Sequence, residues 1–122
     1  MHSACLLEFF RNARLGGELD SADARVTVEN AVCGDQLVLA GRLVADRLVA
    51  VRFLARGCVA SMGCAAALSE ALQGRTLAEV RAFSRAALVA MVDGLPETSG
   101  HAATLALMAR DALLAALPGG HS

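Results

Sequence analysis

The stretch "QLVLAGRLVADRLVAVRFLARGCVASMGCAAALSEALQ", residues 36–73, contains a change of period that decides the fold. "QLVLAGRLV" and "RLVAVRFLA" alternate at period two, the pattern of strands with one buried face. Only Ala45 and Asp46 separate them, a link short enough for an antiparallel hairpin. Strands are therefore predicted at 36–44 and 47–55, with Gly41 as a bulge site. After Gly57-Cys58 the alternation stops. "VASMGCAAALSEALQ" is rich in helix formers and ends at Gly74.

Upstream, "RVTVE" supplies a third strand at 25–29. Residues 4–14 suit an amphipathic helix with Leu6, Leu7 and Phe10 on one face, ended by Gly16-Gly17, and the polar "ELDSADA" links helix to strand. Downstream, "RTLAEVRAF" places Thr76 as N-cap with Glu79 three residues later, a capping-box pattern. "RAALVAMVDG" reads as a further short helix, "LPETSG" breaks the chain, and "HAATLALMARDALLAAL" forms a long final helix before Pro118. Strands first and helices afterwards predict an α+β fold: a small three-stranded antiparallel sheet with helices packed on one face, one domain over 1–122.

Hydrophobic residues make up 56% of the chain, yet no apolar run reaches the ~18 residues of a membrane span. A formal net charge of −1 gives no electrostatic footprint for nucleic acid or an anionic membrane. Trp and Tyr are absent, which removes stacking platforms for single strands. "MHSACLLEFFRNARLGG" carries Glu8 inside a short apolar patch and makes a poor secretory signal. The expected compartment is the reducing cytoplasm, where the four cysteines are core residues, metal ligands or nucleophiles.

Cys33-Gly34-Asp35 precedes one strand of the hairpin and Gly57-Cys58 follows the other. Pairing of the two strands would bring Cys33 and Cys58 to one rim of the sheet. His101, opening the final helix, could close over the same rim. Two thiolates, a carboxylate and an imidazole would suit Zn²⁺ or iron, and a thiolate on Cys58 would gain from the helix N-terminus. The spacing alone leaves the plainer alternative open: a buried thiol before a strand, an aspartate satisfying turn donors, a surface histidine. Cys5 and Cys64 read as small core hydrophobes, and His2 and His121 as unassigned terminal residues.

The segments "CGDQLVL" and "VRFLARGCVASMGCAAALSEALQGRTLAEV" resemble the iron–sulfur cluster scaffold family of IscU, SufU and the NifU N-terminal domain. That family has a CGD motif, a GC motif about two dozen residues later before a helix of small residues, and a G-(K/R)-(S/T)-L-x-E turn. "EFFRNARLGGEL" is similar to its N-terminal motif, keeping Arg14 and Gly17. The resemblance implies a scaffold and not an enzyme. It would accept sulfur from a cysteine desulfurase, hold a labile [2Fe–2S] cluster or Zn²⁺ on Cys33, Asp35, Cys58 and His101, and pass the cluster to acceptor proteins. The chain departs from the family at the third cysteine. His101 takes the preceding position and Ala102 the cysteine's own, or Leu105 in another register. Cys64 stands where the family carries a small residue such as serine. The chaperone-type L-P-P-V-K segment is reduced to "LPETS".

Three roles follow from that departure: a scaffold working with non-cysteine ligands, a zinc-binding sulfur acceptor, or a paralogue that regulates a desulfurase without a cluster. A homodimer bridging one cluster with two cysteines per chain is a further arrangement. No hydrolase constellation is present.

Overall fold

The computed structural model describes residues 2–31 and 34–118. In chain order these form α1 (Ala4–Arg11), β1 (Ala24–Glu29), β2 (Gln36–Val44), β3 (Arg47–Arg56), α2 (Val59–Leu72), α3 (Leu77–Ala82), α4 (Arg85–Met91) and α5 (Gly100–Ala116), with a 3₁₀ turn at Glu97–Ser99 before α5. The strands form one antiparallel sheet in the order β1-β2-β3. The period-two pattern works as expected: Leu37 and Leu39 of β2 and Val51 and Phe53 of β3 point into the core, while Val38 and Leu54 alternate onto the other face. The helices cover only the inner face, so the α+β arrangement expected from the sequence is the one observed.

The central helix, α2, has no polar side. Residues from Ala60 to Leu72 are buried almost without interruption, as befits a helix surrounded by the sheet, α1 and α5. Its small residues let the neighbours approach closely. A Cβ on Gly63 would lie 2.6 Å from Leu6 Cδ1, so α1 crosses α2 at that glycine. Leu6, Leu39, Leu48, Leu68 and Leu113 are fully buried, and each such side chain contributes about 1.5–3 kcal/mol of hydrophobic stabilisation. The capping box forms as read: Glu79 N–H donates to Thr76 Oγ1 (3.2 Å) and Thr76 N–H to Glu79 Oε1 (2.9 Å).

Three expectations are corrected. Helix α1 stops at Arg11, with Asn12 as its cap, and not at Gly16-Gly17. Burial of Leu15 draws the next residues against β3, where Phe53 N–H donates to Leu15 O (3.0 Å) and Gly17 N–H to Phe53 O (2.8 Å). Gly41 keeps register with Ala24 and Val51, and the irregularity falls between Arg42 and Leu43. What Gly41 supplies is room, since a Cβ there would lie 2.7 Å from Leu48 Cδ1. Cys5 is exposed, while its neighbour Leu6 is the residue of α1 that is buried in the core. No helix among the described residues is long and apolar enough to cross a membrane.

Candidate metal centre

Asp35 stands directly before β2, and Cys58 is separated from Arg56, the last residue of β3, by Gly57 alone. Because Gln36 faces Arg56 in the hairpin, the two groups share one rim of the sheet. Gly57 makes their approach possible. Its φ is +146°, and a Cβ would stand 2.6 Å from the Asp35 Cγ. Cys58 is the N-cap of α2, its sulfur accepting the Ser61 N–H at 3.4 Å. His101 enters from the first turn of α5. That turn is clamped by Arg85, which donates to Gly100 O (2.8 Å) and Thr104 Oγ1 (2.9 Å).

The structure brings together Asp35, Cys58 and His101, three of the four residues singled out above. Cys58 Sγ lies 3.6 Å from His101 Nε2 and 3.7 Å from Asp35 Oδ2, and Nε2 lies 3.5 Å from the same Oδ2. Tetrahedral zinc with Zn–N of about 2.0 Å and Zn–S of about 2.3 Å needs donors roughly 3.3–3.8 Å apart, so the triangle fits a metal without rearrangement. Asp35 is 4% exposed, while the His101 side chain is 29% exposed and Cys58 is open to solvent. The donors thus sit on a buried base with an accessible mouth. Beside it is a hollow of about 370 Å³ with Asn30, His101 and Leu105 in its wall.

Cys33, the fourth residue, lies outside the described residues, as does His121. Among the described residues no further His, Cys, Asp or Glu joins the three. Ala102 is buried and has no donor atom. Cys64 is fully buried. Burial pushes its thiol up to about 12, the nearby Cys58 adds to the rise and Arg85 opposes it. A thiol held protonated in this way is a core residue.

Sequence reasoning missed Ser61. Its hydroxyl donates to Asp35 Oδ2 at 2.6 Å and its oxygen lies 3.3 Å from Cys58 Sγ. The signal was available: Ser61 stands three residues after the N-cap Cys58, where a side chain in the first turn reaches back over the cap.

The chain matches the family described as NifU-like N-terminal domain over residues 1–119, and it belongs to that family. It is 31% identical over 106 residues to iron–sulfur cluster assembly scaffold protein IscU 1 of Archaeoglobus fulgidus, covering 87% of this chain and 69% of that protein. It is 37% identical over 113 residues to the nitrogen fixation protein NifU of Cereibacter sphaeroides, covering 93% of this chain but 46% of NifU. In fold it is similar to the putative scaffold protein SufU of Fervidobacterium islandicum (TM-score 0.77, 17% identity, 92% and 95% of the two chains covered). A NifU-like N-terminal structure from Brucella abortus gives a TM-score of 0.63 at 23% identity, covering 90% of this chain and 78% of the other. The two structures speak for the fold, and the family is that of iron–sulfur cluster assembly scaffolds.

Proposed function

We propose that this chain, acting as one domain in the cytoplasm, is a carrier that receives sulfur from a cysteine desulfurase, holds a labile [2Fe–2S] cluster and hands it to acceptor proteins. The observation that supports this best is the spacing of Asp35, Cys58 and His101 at metal-ligand separations in a member of the scaffold family. Cys33 is the proposed fourth donor. Sulfur would arrive as the outer sulfur of a desulfurase persulfide. The Cys58 thiol passes its proton to His101 Nε2, 3.6 Å away, in the tautomer that leaves that nitrogen free. The thiolate attacks the outer sulfur, a new S–S bond forms on Cys58, and the desulfurase thiolate leaves. Exposure of Cys58 permits the approach. Asp35 and His101 in place of a third thiolate make for weaker retention, in keeping with delivery.

A second reading, Zn²⁺ as the bound species in a sulfur acceptor, is favoured by the donor set: thiol, imidazole and carboxylate are ordinary zinc ligands. The deciding experiment measures iron, zinc and acid-labile sulfide per chain after anaerobic purification and reconstitution with a cysteine desulfurase. Iron and sulfide in equal amounts, lost in Cys58→Ala, support the carrier. Zinc without sulfide supports the second reading. A chain that takes up no metal under either condition refutes both and leaves a regulatory partner.

A further inference from the structure

We infer that Ser61 is a positioning residue of this centre: its hydroxyl fixes the Asp35 carboxylate with Oδ2 turned toward Cys58 and His101, and so sets the affinity for metal. The inference rests on the metal-binding reading above. A serine hydroxyl has one proton to donate. At 2.6 Å from Oδ2 that proton is committed to Asp35, in the distance range of charge-assisted O–H···O⁻ bonds. At the 3.3 Å contact with Cys58 the serine oxygen has no proton left to give and can act only as an acceptor. When metal binding removes the thiol proton, the bond from Ser61 to Asp35 is retained.

The geometry sets Ser61 apart from an ordinary hydroxyl in a helix. Ser69, further along α2, donates to Ala65 O at 2.8 Å within its own helix. Ser61 instead bonds a residue 26 positions away at the entry to β2, and its backbone N–H meets the Cys58 sulfur. It touches two of the three donors. Ser61 and Asp35 are each 4% exposed, so water is poorly placed to replace a deleted hydroxyl. The other oxygen, Oδ1, accepts from Cys58 N–H at 3.3 Å, so the carboxylate plane is held at both oxygens, and Ser61 makes the shorter of the two contacts.

The test measures Zn²⁺ affinity by competition with a chromophoric chelator, together with the visible spectrum of the Co²⁺-loaded protein. Wild type, Ser61→Ala, Ser61→Thr, Asp35→Ala and the Asp35→Ala/Ser61→Ala double variant are compared, with the metal-free Tm of each. Ser61→Ala is expected to weaken Zn²⁺ binding by about 10–100-fold, as loss of an outer-shell partner does, and to alter the Co²⁺ bands. Ser61→Thr keeps the hydroxyl and restores most of the affinity. In the Asp35→Ala background Ser61→Ala has no further effect, because Ser61 acts through Asp35. Wild-type affinity in Ser61→Ala, or an equal loss in both backgrounds, overturns the inference and leaves the metal centre standing. Absence of Zn²⁺ binding by wild type overturns the metal centre and the inference with it.

Discussion

The Cys58 sulfur and the His101 Nε2 lie 3.6 Å apart although 43 positions separate them in the chain. The contact joins the first turn of α2 to the first turn of α5, and the buried Asp35 carboxylate touches both. Replacing His101 with alanine is expected to weaken Zn²⁺ binding beyond the ~10–100-fold typical of outer-shell losses. The metal-free Tm should change little, since the ring is partly exposed. Chelator competition and calorimetry on the same samples check both.

Gly57 is a prediction about shape. Alanine there meets an unfavourable φ of +146° and the Asp35 side chain together. Gly57→Ala should destabilise the fold by about 1–3 kcal/mol, a drop of several degrees in Tm, and displace Asp35 so that metal affinity falls as well. An unchanged Tm would contradict the close approach.

Thiol reactivity separates the three described cysteines. Under native conditions at mildly alkaline pH, iodoacetamide should modify Cys5 and Cys58, which are exposed, and spare Cys64, whose thiol burial pushes up to about 12. Saturating Zn²⁺ should protect Cys58 and leave Cys5 reactive. Peptide mass spectrometry reads each site.

The capping box of α3 gives a dependence on pH. Hydrogen bonds from the Thr76 backbone N–H, first, and from its side chain hold the Glu79 carboxyl below its usual value. A depressed folded value means that the group stabilises the fold above the pH where the unfolded carboxyl titrates. That contribution is lost as pH falls through the folded value. Glu79→Gln, which carries no titrating carboxyl, should be less stable than wild type at neutral pH, and the difference should shrink in acid. Urea unfolding at neutral and acidic pH tests it.

The hairpin, the central helix and the capping box were legible because each writes a local pattern: period two in 36–44 and 47–55, small residues from Ala60 onward, Thr76 and Glu79 three apart. The rim was legible once the hairpin was, since Gln36 opposite Arg56 leaves Asp35 beside Cys58. What local pattern could not give was set by contacts distant in sequence. Leu15 is drawn out of helical continuation by the edge of β3, and Gly41 is required by Leu48 and not by a bulge. Cys5 reads as apolar, yet α1 turns it outward so that Leu6 can pack on Gly63. Ser61 reads as one more small residue of α2, and its contact with Asp35 is made only across the fold.

The three donors come from the entry to the hairpin, the start of the central helix and the start of the last helix, so they are neighbours only in the folded chain. On the proposed function, the cargo is also a staple: it ties together segments that chain entropy would otherwise let drift apart, and whatever binds only the folded state adds to its stability by mass action. The loaded carrier should therefore be the more rigid and the emptied one the looser. Delivery would then leave a mark on the whole molecule, by which protease sensitivity or hydrogen exchange could tell a full carrier from a spent one.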